Sequence, residues 1–160
     1  MREKSSPAKR YLSQAYIIDR RIKITLEKSE RLRRSLYGRS GAEVGGSPNC
    51  SGDSLGRAVA KVIEYEQNAD RLIDRLVSLR LEIERSIAEL PDPIHREILE
   101  RRYLLYQPWE SHFDKQSGEF IKGIADDMGY SRRAIFEHHG QALKEFEKSA
   151  LKCTEMHLNL

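Results

Sequence analysis

The sequence predicts an all-α protein: a long, coiled-coil-like N-terminal helical hairpin followed by a C-terminal helix-turn-helix domain. Three observations carry this. Apolar residues recur at alternating four- and three-residue spacing over two long stretches, as in helices that pair along a seam. Five prolines and few β-branched runs leave little material for a sheet. A glycine-centred segment, "IADDMGYSRRAIFEHHGQAL" (124–143), reads as helix, tight turn, helix.

The first stretch, Ala8 to Tyr37, places Tyr11, Ala15, Ile18, Ile22, Thr25, Ser29, Leu32 and Leu36 on one seam, weakened in the middle by Thr25 and Ser29. Ser5 and Ser6 before Pro7 are start signals. Glycine, serine, proline and asparagine then crowd into a loop over 38–54. A second long helix is expected from about Leu55 to Glu89, capped by Asp53 or Ser54. Its seam runs Leu55, Val59, Val62, Glu66, Ala69, Ile73, Leu76, Arg80, Ile83, Ile87 and Leu90, widened by Leu72 and Leu79. Matching lengths and stripes suggest an antiparallel hairpin, or the same segments at a dimer interface.

"LPDPI" (90–94) breaks that helix, and Asp92 can cap the next one with Pro93 at its first position. That helix is expected over Ile94 to about Tyr106, burying Ile94, Ile98, Leu99, Tyr103 and Leu105. Gln107 to Glu119 reads as a loop or short irregular helix anchored by Trp109 and Phe113. A short helix is expected from Phe120 to Met128, and a final one, capped by Ser131, to about Cys153. The tail after it is expected to fray.

Composition narrows the classes. At 160 residues, with 39% hydrophobic and 33% charged residues, the chain suits one or two small domains of exposed helix. No run of about 18 apolar residues offers a membrane span. The charged "MREKSSPAKR" start lacks a secretory signal region, so a cytoplasmic location is expected. Cys50 and Cys153 form no CxxC pattern and read as free thiols. The net charge of +3 is uneven: residues 1–37 hold 11 Lys/Arg against 4 Asp/Glu, whereas 91–160 hold 10 against 12.

The helix-turn-helix reading rests on residue types at set positions. Ala125 is the small residue where the helices cross, beside Ile121 and Ile124. Gly129 supplies the turn, flanked by Met128 and Tyr130. Ile135, Ala142 or Leu143, and Phe146 form the inner stripe of the second helix. In such motifs the start of the second helix enters the major groove. Ser131, Arg132 and Arg133 would face DNA there, with Glu137, Gln141 and Lys144 further along. Asp126 and Asp127 oppose this electrostatically. His138 and His139 point about 100° apart, which is poor geometry for sharing a metal, so packing is expected. His138 is expected on the inner face and His139 turned towards solvent or a neighbouring helix. His95 and His112 show no clear partners. No phosphate loop, zinc-protease motif or nucleophile elbow is present, and no catalytic site, metal or cofactor is expected.

"LPDPIHREILERRYLL" followed by "IADDMGYSRRAIFEHHGQALKEFEK" resembles region 4 of bacterial sigma factors. The chain is closer still to the sigma-region-4-like regulators of phages and prophages of low-GC Gram-positive bacteria, such as the ArpU and RinA types. A less characterised prophage group is more similar still, and the chain resembles it through "YLSQAYIIDRRI", "GGSPN", "RLIDRLVSLRLEI", "RRYLLYQPW" and "MGYSRRAIFEHHGQALK", over most of its length. The resemblance implies a DNA-binding regulator with Ser131, Arg132 and Arg133 at the start of the recognition helix. It also implies a recurring histidine at His139 and an aliphatic residue where His138 stands. One departure is the stretch "ESHFDKQSGEFIKG" after Trp109, whose first part looks like an insertion.

The expected organisation is therefore a hairpin over 1–90 for oligomerisation or partner binding, a helix-turn-helix domain over 91–153, and a tail over 154–160. The expected function is sequence-specific regulation of phage or prophage transcription. The alternative is a DNA-packaging component resembling a small terminase subunit, or an assembly protein. Double-stranded DNA is the expected partner. Host RNA polymerase and a second copy of the chain, met through the N-terminal helices, are further candidates.

Overall fold

The computed structural model describes residues 6–40 and 52–157, with side chains given except at 39–40, 52–53 and 150–157. In order these form α1 (Pro7–Ser40), α2 (Gly52–Ala88), α3 (Pro93–Leu99), a π-helical turn (Glu100–Leu104), β1 (His112–Asp114), β2 (Glu119–Ile121), α4 (Ile124–Met128) and α5 (Arg132–His157). The described residues are all-α apart from one two-stranded hairpin. No described helix is long and apolar enough to cross a membrane. Ser5, Cys50, most of the glycine-rich loop, residues 158–160, and the side chains of Asp53 and Cys153 lie outside the described residues. Contacts divide the chain into two compact units, Ile17–Val77 on one hand and Met1–Tyr16 with Ser78–Leu160 on the other.

In the Ile17–Val77 unit, α1 and α2 run antiparallel. Arg33 meets Glu66, while the end of α1 (Leu36, Tyr37) lines one groove with the start of α2 (Leu55, Val59). The α1 seam is buried at Ile18, Ile22, Thr25 and Ser29, including its two polar positions. Their hydroxyls are satisfied: Thr25 Oγ1 donates to the Arg21 carbonyl (2.9 Å) and Ser29 Oγ to Glu66 Oε1 (3.3 Å). That explains why Glu66 occupies a seam position on the facing helix, since a buried hydroxyl is costly only when unpartnered. The helices overrun the expected loop, because 38–40 and 52–54 are helical. Asp53 and Ser54 therefore lie inside the first turn of α2 and do not precede it as caps.

The α2 seam needs correction. Val62, Ala69, Leu76, Ile83 and Leu90 are buried at every seventh residue, but Leu55, Val59 and Ile73 are 40–56% exposed. A straight helix of 3.6 residues per turn drifts against a 3.5-residue stripe. Midway the intervening positions pass to Leu72, half-buried, and Leu79, buried, and Ile87 then stands in the seam as expected, fully buried.

In the other unit the start of α1 joins the C-terminal elements. Ser6 Oγ accepts from the Lys9 N–H (3.3 Å), with Pro7 at the first helical position, and donates to Glu147 Oε1 on α5 (2.7 Å). Ala8, Leu12 and Ala15 are buried there, and Tyr11 packs on Phe146. Asp92 caps α3 as expected: its Oδ1 accepts from the Ile94 N–H at 2.8 Å. That bond, first among several causes, holds the Asp92 carboxyl below its usual range.

The helix expected to reach Tyr106 changes character at Glu100. The Leu105 N–H reaches back five residues to the Glu100 carbonyl (3.0 Å), adding a residue to the turn. The extra residue rotates the end of the helix, so Tyr103 is buried while Leu105, expected in the core, is 68% exposed. Tyr106 then leaves the helix at a φ of 56°, a left-handed conformation costly for a bulky residue. Arginines hold this corner: Arg80 donates to the Leu104 carbonyl (2.6 Å) and Arg102 to that of Gln107 (3.0 Å). Arg80 interrupts the apolar seam of α2 because it caps this turn.

The segment after Trp109 is neither a loop alone nor a helix, and no helix starts at Phe120. Residues 112–121 form the antiparallel hairpin, pairing His112 with Ile121, Phe113 with Phe120 and Asp114 with Glu119. Asp114 organises its tip, accepting from the Gln116 N–H (3.0 Å) and Ser117 Oγ (2.9 Å) while its carbonyl receives the Gly118 N–H (2.9 Å). Gly118 closes the turn at a φ of 72°. Phe113, expected as an anchor, is 60% exposed beside its cross-strand partner Phe120.

Candidate nucleic-acid interface

α4, Gly129 and α5 form a helix, a tight turn and a helix. Gly129 stands at φ 71°, ψ 27°, where a side chain would be strained, and its N–H closes α4 on the Ala125 carbonyl. The Tyr130 N–H binds the same carbonyl (2.9 Å). Ile98 of α3, Ile124 and Ala125 of α4, and Ile135 of α5 form one buried knot. Ile94, Trp109, Met128 and Tyr130 pack around it. The geometry residues named from the sequence, Ile124, Ala125, Met128, Gly129, Tyr130 and Ile135, thus converge at one corner. Ile121 is not at the crossing, because it lies in β2.

Ser131 caps α5, its Oγ accepting from the Ala134 N–H at 3.2 Å. Ser131→Ala should cost about 1 kcal/mol of stability, read by urea unfolding, while Ser131→Asp should retain the cap. The buried side of α5 is Ile135, His139, Ala142, Leu143 and Phe146. Ser131, Arg132, Arg133, Glu137, Gln141 and Lys144 are all exposed. Arg133, Glu137, Gln141 and Lys144 succeed one another at helical spacing and share one face, with Ser131 and Arg132 at its N-terminal end.

Both arginines are engaged by carboxylates. Arg132 meets Glu110 Oε1 at 2.8 Å and lies over the Phe136 ring at 5.9 Å, while Arg133 Nε meets Glu137 Oε1 at 3.0 Å. All four side chains are largely exposed, so the pairs contribute little and exchange readily for another anion. Of the two opposing aspartates, Asp127 is neutralised locally. Gln107 and Lys122 donate to it, and Arg101 pairs with it, holding its carboxyl below the usual range. Asp126 accepts from Ser111 Oγ.

Both histidines pack, as expected, but their expected depths are exchanged. His139 is the deeper one, because four residues past Ile135 returns to the buried face. Its Nε2 shares a 3.0 Å hydrogen bond with the Tyr103 hydroxyl, and Trp109 meets its ring edge-on at 4.8 Å. Burial, aided by Lys9 and Arg102, pushes its pKa down to about 4, and burial raises that of Tyr103 to about 12. Both groups are therefore neutral near pH 7. His138 is half-buried between Tyr130 (5.2 Å) and His95 (5.8 Å). His95, expected to lack partners, is buried with its Nδ1 2.8 Å from Glu145 Oε2 of α5, which ties α3 to α5. Among the described residues no group of three His, Cys, Asp or Glu is arranged to hold a metal ion.

The chain matches no family model, no curated protein and no solved structure.

Sequence reasoning missed Glu110, Phe136 and Gly123. Phe136 lies against Trp109 (5.0 Å) and under Arg132, so it shapes the entry to α5. Gly123 joins the hairpin to α4. Its N–H donates to Ser111 Oγ (2.8 Å), and a Cβ there would lie 2.5 Å from Ser111 N and 2.6 Å from Glu110 Cα. No local signal in the sequence reveals such an approach, since it depends on the hairpin folding back.

Proposed function

We propose that the chain is a sequence-specific DNA-binding regulator that reads the major groove with the N-terminal half of α5. The observation that carries this is the corner itself. A left-handed glycine and a buried four-residue knot set α5 on α3 and α4, and they leave Ser131, Arg132, Arg133, Glu137, Gln141 and Lys144 exposed along it. Arg132 and Arg133 can bond guanine or grip phosphate once their exposed acidic partners are displaced. The resemblance to sigma-region-4-like phage regulators supports regulation of phage or prophage transcription, with host RNA polymerase as a candidate partner. The hairpin between Trp109 and α4 departs from that pattern, so promoter recognition of the sigma type is not carried over.

Fluorescence anisotropy against duplexes from the flanks of the gene tests this. The affinity should fall linearly in log-log form as salt rises. Arg132→Ala or Arg133→Ala should weaken specific binding by roughly ten- to a hundredfold, and Ser131→Asp should weaken it with the fold intact. Equal binding to all duplexes, unmoved by these changes, would contradict the reading.

A second reading, a DNA-packaging or assembly component, is favoured by the apolar residues left exposed along the long helices, among them Ile17, Ile24, Ile63 and Val77. A closed ring of many subunits would select it.

A further inference from the structure

The unit Ile17–Val77 carries two stripes that its own seam leaves exposed, except at Glu66, which is half-buried and also partners Ser29 in that seam. On α1 they are Ile17, Arg21, Ile24, Lys28 and Arg31, spaced four, three, four, three. On α2 they are Val59, Ile63, Glu66, Asp70, Ile73 and Val77, spaced four, three, four, three, four. Both have the spacing of a helix-pairing seam. The isoleucines and valines of the two stripes are 40–59% exposed.

Their charges are opposite. Arg21, Lys28 and Arg31 make no ion pair among the described residues, and the α1 stripe contains no acid. The α2 stripe contains no base. Asp70 makes no ion pair among the described residues, and Glu66 is held by Arg33.

The stripes also open on opposite sides of the hairpin. Each α1 stripe residue precedes a seam residue (18, 22, 25, 29, 32) by one. Arg33 and Tyr37 come one residue after seam positions and therefore emerge on the other side of α1. The groove that Arg33 and Tyr37 line is shared with Val59, Ile63 and Glu66, which places the α2 stripe on their side. A two-fold dimer would set each stripe against itself, cation on cation or carboxylate on carboxylate. Opposite charge on opposite sides fits a head-to-tail contact instead.

We propose that the occupant of each stripe is a second copy of this chain: the basic α1 stripe of one copy packs on the acidic α2 stripe of the next. Such a heterologous contact leaves a free stripe at each end, so association continues past the dimer into a ring or an open chain. This goes beyond the DNA-binding reading and is measured without DNA, and a closed ring of many subunits would at the same time favour the packaging reading over transcription regulation.

The test uses the full chain in sedimentation velocity and mass photometry, with wild type, Ile24→Asp and Ile73→Asp. Wild type should reach masses above two chains as concentration rises. Each variant alone should associate at least tenfold more weakly, with unchanged far-ultraviolet circular dichroism and melting temperature. Mixed in equal amounts, the variants should form a complex of one each that does not grow, because one intact junction remains and the other brings two aspartates together. Three results would overturn the proposal: a wild type that stays monomeric or stops at the dimer, an Ile24→Asp variant that associates like wild type, or a mixture that stays monomeric.

Discussion

Gly123→Ala should destabilise the C-terminal unit by about 3 kcal/mol, at the upper end of what overpacking costs. The added methyl would press on the main chain at Glu110 and Ser111, which cannot step aside as a flexible side chain does. Relief requires moving the hairpin away from α4, which breaks the bond from the Gly123 N–H to Ser111 Oγ and loosens Ser111 from Asp126. It also shifts Trp109, whose carbonyl receives the Ala125 N–H (3.3 Å) and whose ring packs on Phe136 and His139. Gly140→Ala is the control. Gly140 lies inside α5 with nothing within 4 Å of an added Cβ, so alanine there should gain up to about 1 kcal/mol from helix propensity. Urea unfolding followed by tryptophan fluorescence reads both, since Trp109 is the one tryptophan of the chain. Equal stability of the two variants would contradict the packing described at Gly123.

Acid should destabilise the same unit through His139. Its folded pKa is lowered from 6.5 to about 4 by burial, so the unfolded chain binds a proton over a window in which the folded chain does not. Stability from this group is complete above pH 6.5, is lost as pH falls, and stops falling near pH 4, where the folded form also protonates. At about 1.4 kcal/mol per pH unit, the loss across that window is on the order of 3 kcal/mol. The neighbouring cations Lys9 and Arg102 act in the same direction as burial, and the Tyr103 hydroxyl partners the neutral ring. His139→Gln, which can still bond Tyr103 and does not titrate, should be less stable at pH 7 but lose about 2 kcal/mol less on going to pH 4.5. Parallel stability curves for wild type and variant would place the acid sensitivity elsewhere.

Much of this was legible because it is written locally. The spacing of Ala125, Gly129 and Ile135 encodes a turn within eleven residues, and the turn forms where expected. The α1 seam was readable for the same reason, even at Thr25 and Ser29, whose burial needs only a carbonyl and Glu66 as partners. The hairpin was not legible, because three-residue strands carry no usable period. Its one signal was Asp114 with Gly118 four residues later. The π-helical turn left no sequence mark, and it decides that Leu105 faces solvent. The order of the histidine pair was hidden because three-residue and four-residue steps from Ile135 both return near the inner face, and only packing against Tyr103 and Trp109 selects His139. Of the candidate interface, the sequence revealed which residues stand on α5 and not which carboxylates meet them: Glu110 reaches Arg132 only because the chain after Trp109 turns back.

The proposed function requires the start of α5 to read base sequence. The most direct measurement is selection of duplexes from a random pool by wild type and by Arg132→Ala, Arg133→Ala and Gln141→Ala, with sequencing of the bound pool. Wild type should enrich one short motif, at least one arginine variant should relax the preference at a single guanine-bearing position, and changes to Arg21 or Lys28 on α1 should leave the motif unaltered. No enrichment by wild type, or a motif indifferent to all three substitutions on α5, would contradict the proposed function.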